Sequence, residues 1–272
     1  MNLLYGKPIA DDILGRLKGD IFLHEEKPGL AVVLVGADKA SQIYVSLKGK
    51  RAEEIGMKFS LYELAEDVSE EELLDLIARL NVDGNIHGMI VQLPLPQGLD
   101  AEKIISAIDP QKDADGFLGM VGYLEPVFPR AILKMIKSAE RYLTGKKAVV
   151  VANSDEFGKT MCQMLAGENI APEYILVADL ASNLGKIKEA DVVVSAVGSP
   201  GLLRGEMFKE GAIVIDGGIE KVGQHVLGDV DFASTEGKSG FLTPVPGGVG
   251  PVTIACLLEN VYLAFEAQQK EK

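Results

Sequence analysis

Ala148-Val149-Val150-Val151-Ala152-Asn153-Ser154-Asp155-Glu156-Phe157-Gly158 is the stretch whose reading decides the fold. Its first five residues are an apolar run without polar alternation, the pattern of a strand covered on both faces. A short polar turn follows, and a helical pattern opens near Lys159. Strand, tight turn and helix N-terminus make a ready seat for a pyrophosphate, through unpaired backbone N–H groups and the positive end of the helix dipole. The glycine fingerprint G-x-G-x-x-G is missing, and only Gly158 stands where one of its glycines would. Asp179 lies 21 residues after Gly158, at the end of the next expected strand, 174–178. An acid in that place accepts hydrogen bonds from the ribose hydroxyls and repels a 2′-phosphate, which favours NAD over NADP. Taken alone, Asp179 reads more simply as a solvated residue at a strand end.

Working outward, short apolar runs alternate with helical patterns along the whole chain. Strands are expected at 192–196 and 212–216 after the deciding stretch, and at 30–35, 58–63 and 87–93 before it. Helices are expected at 41–55 and from Ser69, where Ser69 and Glu72 form a capping box, to about Leu80. This alternation is the signature of parallel sheets with helices on their faces. The expected fold class is α/β, with two α/β domains and a second domain that is Rossmann-like. The boundary is set in the Gly- and Pro-rich loop 119–129, ahead of a helix at 131–143. Residues 1–122 form the first domain, residues 123–251 the second, and the last helix, 252–272, returns to the first.

Composition narrows the class further. With 40 acidic against 27 basic residues, the net charge of −13 argues against a nucleic-acid partner, because phosphate contacts need a basic face. A hydrophobic fraction of 47% over 272 residues excludes a disordered chain. Cys162 and Cys256 lie apart in apolar helical stretches and form no metal-ligand pair, so no metal is expected and the usage suits a reducing cytosol. The longest apolar runs are strand length and the N-terminus has no apolar signal core, which points to a cytoplasmic protein with no membrane partner.

Chemistry-bearing residues gather at the expected strand ends. Tyr44 and Lys48 stand four apart on one helix face, where a phenol beside an ammonium can position a substrate and carry a proton. As a lone pair they also read as a surface Tyr with a solvated Lys. Gln92 closes the strand 87–93, at the sheet edge where ligands sit, within reach of Lys48 and able to hold its ammonium without neutralising it. Pro94 and Pro96 stiffen that loop, and one of the two bonds is a candidate for the cis form. Asp115 can accept paired hydrogen bonds from an amino-heterocycle such as a pterin; its plainer reading is an Asx turn before Gly116. The run 243–251 (TPVPGGVGP) excludes helix and central strand, and permits close backbone approach to a ligand.

Four segments in this order, 41–50 (SQIYVSLKGK), 88–96 (GMIVQLPLP), 109–117 (DPQKDADGF) and 243–251, resemble the methylenetetrahydrofolate dehydrogenase/cyclohydrolase family. Segments 196–198 (AVG), 215–219 (IDGGI) and 227–232 (LGDVDF) add to the likeness. The resemblance implies oxidation of 5,10-methylenetetrahydrofolate with NAD or NADP, then hydrolysis of the methenyl product to 10-formyltetrahydrofolate. It further implies a homodimer with the active-site cleft between a folate-binding catalytic domain and a dinucleotide-binding domain. Lys48 would do the acid/base work, Gln92 would tune it, Tyr44 would stack on the aminobenzoate ring and Asp115 would bind the pterin. Pro94, Gly250 and Pro251 complete the expected folate site. Ala152, Asn153, Ser154, Gly158, Asp179, Gly198 and Ile219 make up the expected dinucleotide site. Asn153 replaces the arginine that many members place there, Asp179 replaces a serine, and 126–129 (PVFP) replaces Pro-Cys-Thr-Pro. These departures point to NAD, and leave a cyclohydrolase without dehydrogenase activity as the alternative.

Overall fold

The structure, a computed structural model, describes residues 1–119, 122–223 and 225–270. In chain order the first elements are β1 (Asn2–Leu3), α1 (Gly6–Phe22), β2 (Gly29–Val35), α2 (Lys39–Glu54), β3 (Lys58–Leu64), α3 (Glu70–Val82), β4 (Gly88–Val91) and α4 (Ala101–Ser106). Then come α5 (Val127–Lys137), β5 (Lys147–Ala152), α6 (Asp155–Gly167), β6 (Ala171–Leu176), α7 (Leu184–Glu189), β7 (Val192–Ala196) and β8 (Ile213–Asp216). A hairpin, β9 (Glu220–Val222) and β10 (His225–Leu227), precedes β11 (Phe241–Leu242) and α8 (Val249–Lys270).

These elements form two compact units. One comprises Asp11–Val127 and Ile254–Lys272, and holds the parallel sheet β3-β2-β4. Every residue of β2 is buried, as its unbroken apolar run requires of a central strand. Its core packs Ala31 and Val33 of β2 with Leu73, Ile77 and Leu80 of α3. The capping box of α3 is formed: Glu72 N–H donates to Ser69 Oγ and Ser69 N–H to Glu72 Oε2, each at 3.2 Å. By length and composition α8 could cross a membrane. Its Ala255, Cys256, Leu257, Leu258, Val261, Ala264 and Phe265 are instead buried in protein, which accounts for its apolar character.

The other unit comprises Met1–Ala10 and Phe128–Thr253. Its six-stranded parallel sheet has the order β1-β11-β8-β7-β5-β6. The order runs outward from β5 in both directions, to β6 on one side and β7 then β8 on the other, so the chain reverses at the carboxyl edge of β5. The first ten residues, which the sequence assigns to the first domain, belong here because β1 pairs with β11.

Several expected boundaries move. Strand 174–178 is Ala171–Leu176, and Asp179 sits beyond it in a 3-10 turn, Val177–Ser182. Gln92 lies just past β4 rather than inside the strand. The interdomain loop, of which Met120 and Val121 lie outside the described residues, ends earlier than expected, because α5 starts at Val127 and carries Pro129 in its first turn. The same allowance for proline in a first turn lets α8 start at Val249, so Gly250 and Pro251 are helical, contrary to the reading of 243–251 as wholly non-helical.

Two helical glycines allow close approach to a neighbouring strand. A Cβ on Gly49 would stand 2.7 Å from the Phe59 ring, and one on Gly158 would stand 2.5 Å from the Tyr174 ring. Gly15, in α1, has nothing within 4 Å of such a Cβ. Gly15→Ala is therefore expected to stabilise the protein by roughly 1 kcal/mol through helix propensity. Gly158→Ala should destabilise it by about 1–3 kcal/mol through overpacking, despite the same propensity gain. Urea unfolding of the two variants checks the opposite signs.

Candidate active site

Lys48 and Gln92 reach each other because β2 and β4 are neighbours. Asp38 caps α2 by accepting the Ser41 N–H at 2.7 Å, so the helix begins directly after β2 and its loop. Gln92 follows β4, and its N–H donates to Val33 O of β2 at 2.8 Å. At that junction the Lys48 ammonium donates to Gln92 Oε1 at 3.0 Å. The other end of the amide is fixed as well, with Gln92 Nε2 donating to Leu93 O at 2.7 Å. The amide thus orients a cation without supplying charge. The Leu93–Pro94 bond next to it is cis. Tyr44 lies one turn before Lys48 on α2 and is 36% exposed, open enough to take a flat ring against it.

Asp115 joins this group from the loop after α4. Burial pushes its carboxyl above the ordinary carboxylate range, and the positive charge of Lys48 opposes that shift. The loop is held by its neighbours. Asp113, not Asp115, makes the Asx-type turn: its carboxylate accepts the Gly116 N–H at 3.0 Å and the Leu118 N–H at 2.7 Å. The Lys112 ammonium donates to Leu80 O and Asp83 O at the end of α3, at 3.2 and 2.9 Å. Asn260 of α8 donates to Ala114 O and Glu125 O at 3.0 and 2.9 Å. With the loop pinned by these groups, the Asp115 carboxylate accepts no hydrogen bond among the described residues.

Gly250 and Pro251, in the first turn of α8, belong to the other unit and are half-buried. In that unit the expected dinucleotide residues lie at the carboxyl ends of the strands. Ser154 caps α6 by accepting the Phe157 N–H at 3.3 Å, which leaves the N–H groups of Asp155 and Glu156 as the orphan donors of that helix end. Gly158 lets the helix settle on Tyr174, whose hydroxyl donates to Asp155 Oδ1 at 2.8 Å. Ala152 is buried at the tip of β5, and Asn153 is exposed, its amide 3.5 Å from Val197 O. Because Ala152 pairs with Leu176, the turn carrying exposed Asp179 follows the strand beside it. Gly198 has φ +80°, and Ile219 is 45% exposed. Among the described residues no cluster of His, Cys, Asp and Glu could hold a metal ion.

Sequence reasoning missed a pair of buried carboxylates in the same unit. Asp216 ends β8 and accepts N–H groups from Gly218, Asp229 and Val230 at 2.9–3.1 Å. Its burial raises its pKa to about 6. Asp229 accepts the Ser195 hydroxyl and the N–H groups of Val197, Gly198 and Ser199 at 2.6–2.9 Å. The available sequence signal was two acids beside glycines, Asp216-Gly217-Gly218 and Gly228-Asp229. A Cβ on Gly218 or Gly228 would fall about 2 Å from one carboxylate or the other, at 2.2 Å from Asp229 and 2.1 Å from Asp216.

Comparisons agree with this arrangement across most of the chain. Residues 4–115 match the tetrahydrofolate dehydrogenase/cyclohydrolase catalytic domain, and residues 126–269 match the NAD(P)-binding domain of the same family. The bifunctional protein FolD of Cereibacter sphaeroides is 46% identical over 270 residues, covering 94% of this chain and 89% of that protein. The crystal structure of the FolD methylenetetrahydrofolate dehydrogenase/cyclohydrolase from Campylobacter jejuni superposes with a TM-score of 0.92 at 39% identity, over 98% of this chain and 99% of that one. The Trypanosoma brucei enzyme, solved with NADP cofactor and inhibitor, gives 0.91 at 33% identity, over 98% of each chain. On both domain matches and these likenesses, the chain belongs to the tetrahydrofolate dehydrogenase/cyclohydrolase family.

Proposed function

We infer that this chain carries both activities of its family, oxidising 5,10-methylenetetrahydrofolate to the methenyl form with NAD(P)+ and hydrolysing that to 10-formyltetrahydrofolate. Nothing in either domain favours cyclohydrolase activity alone. The observation that carries the residue assignment is the Lys48–Gln92 hydrogen bond beside the Asp115 carboxylate, which feels the Lys48 charge and accepts no hydrogen bond among the described residues.

In hydrolysis, water adds to the methenyl carbon between N5 and N10, and the C–N5 bond then breaks to leave the formyl group on N10. Water addition releases a proton and C–N5 cleavage takes one up at N5; we assign both transfers to Lys48, its neutral amine accepting in the first step and its ammonium donating in the second. Gln92 holds the ammonium in one orientation by accepting its N–H, and its amide leaves the charge on the lysine intact. Asp115 offers two acceptor oxygens to the N–H groups of a pterin, the geometry that suits a planar donor pair. Tyr44 gives the aminobenzoate ring an aromatic face. Pro94, Gly250 and Pro251 are assigned to the folate site by position in the family motifs.

In oxidation, the dinucleotide supplies the hydride acceptor. Ala152, Asn153, Ser154 and Gly158 would hold its pyrophosphate at the start of α6, Asp179 its adenosine ribose, and Gly198 and Ile219 its other end. Asp155, Glu156 and Asp179 stand at this edge without a neighbouring arginine at position 153, which disfavours the extra charge of a 2′-phosphate. NAD is therefore the assigned cofactor. The chain is further assigned to the cytoplasm as a homodimer, the first from its composition and the second from the family resemblance.

Three measurements test these assignments. Lys48→Ala should cut methenyl hydrolysis by roughly 10²–10⁴-fold, the range for losing a proton-transfer group, and hydrolysis at the parental rate would remove Lys48 from the mechanism. Because Asp115 is raised by burial, acidification protonates it earlier than an ordinary carboxylate. The KM for folate should then rise as pH falls, beginning above the usual carboxylate range, and Asp115→Asn should flatten that rise. Methenyl absorbance followed with each dinucleotide should show faster turnover with NAD, and Asn153→Arg with Asp179→Ser should reverse the order; faster turnover of the parent with NADP would overturn the cofactor assignment.

A further inference from the structure

Strand order reverses at β5, so a dinucleotide would bind at the carboxyl edge there, with its adenosine toward β6. The carboxyl ends of β7 and β8 would then receive its other half. The loop at the first of these ends, residues 197–199, is irregular, and its backbone amides are committed elsewhere. Three consecutive N–H groups, from Val197, Gly198 and Ser199, point to one side chain at 2.9, 2.8 and 2.7 Å. That side chain is the carboxylate of Asp229, which is 0% exposed. The Ser195 hydroxyl, at the end of β7, is its fourth donor at 2.6 Å.

Four donors converging on one group require a group that only accepts. An asparagine would turn an N–H₂ toward two of them and leave at least one half-buried backbone N–H without its acceptor. Asp229 is in turn held by its own backbone, since its N–H and that of Val230 donate to the two oxygens of Asp216 at 2.9 Å. Asp216 also receives the Gly218 N–H at 3.1 Å, in the loop that leads to Ile219. Gly218 and Gly228 are the residues without a Cβ that let the two carboxylates sit this close to backbone. The strand-end loops of β7 and β8 are thus tied together through two buried acids in series.

We propose that Asp229 is a positioning residue for the dehydrogenase reaction: its carboxylate, anchored through Asp216, fixes loop 197–199 in the shape that receives the hydride-accepting end of the dinucleotide. This rests on the dinucleotide reading given above. The hydrolysis chemistry of Lys48, Gln92 and Asp115 uses none of these groups, so the two activities should separate.

The test uses the full chain and measures both reactions, with calorimetry of NAD binding alongside. Asp229→Asn should raise the KM for NAD at least tenfold, and the ratio of dehydrogenase kcat/KM for NAD to the methenyl hydrolysis rate should fall at least tenfold. A folded Asp229→Asn protein whose ratio stays within twofold of the parent overturns the proposal, as does a parallel fall of both activities. Should Asp229→Asn fail to fold, Ser195→Ala decides, because it removes one donor and leaves the carboxylate: a threefold or greater rise in the KM for NAD supports the proposal, and an unchanged KM overturns it. A parent protein that binds neither NAD nor NADP by calorimetry removes the dinucleotide reading and this proposal together, whereas normal NAD binding in Asp229→Asn removes only the proposal.

Discussion

The parallel pairing of β2 with β4 is the constraint on which the Lys48–Gln92 pair depends. It sets Val33 beside Val91 and lets the Gln92 N–H bond to Val33 O, so the residue after one strand stands at the mouth of the other. Helix α2 leaves that same mouth, and Gly49 lets it lie close against Phe59 of β3. Lys48, one residue before that contact, is thereby delivered to Gln92 across a sequence separation of 44 residues. A helix displaced outward by a bulkier residue at the contact would carry the ammonium away from its acceptor. Sheet register and helix seating thus set the geometry of the Lys48–Gln92 hydrogen bond.

The acids of this chain do different work according to what donates to them. Most of the surplus behind the net charge of −13 lies on the surface and keeps the protein solvated. Asp113, Asp216 and Asp229 are buried and accept backbone N–H groups, so each shapes a loop. Asp115 is also desolvated at its carboxyl but accepts no such bond, and it stands beside Lys48. A buried carboxylate satisfied by backbone is a structural part; one left with open acceptors beside a cation is a place for a ligand. That contrast separates Asp115 from the other three.

Much of the site was legible in the residues themselves. The i, i+4 spacing of Tyr44 and Lys48, the glutamine at a strand end and the capping box at Ser69 are local patterns, and local patterns survive in sequence. The reading of Asp115 as the turn-forming residue passes to Asp113, a difference set by which carboxylate faces the amides of 116 and 118. The strand after α6 stops at Leu176 and turns into a 3-10 segment, so Asp179 stands past the strand rather than on it. Proline in a first helical turn hid the starts of α5 and α8, since the same residue breaks a helix interior and is tolerated at its beginning.

The sequence alone determined the class of sheet and the family, because each of these is written in runs of neighbouring residues, the sheet through a periodicity that is physical. It could not place Met1–Ala10 with the second unit, because strand β1 is two residues long and its partner β11 comes more than 200 residues later. Nor could it show that Asp216 and Asp229 form one network. Their meeting depends on the chain after β10 returning to bond Asp229 and Val230 N–H to Asp216, and on glycines whose missing side chains matter only once the chain is packed. Contacts between distant segments are paid for by tertiary burial, and only the folded chain decides them.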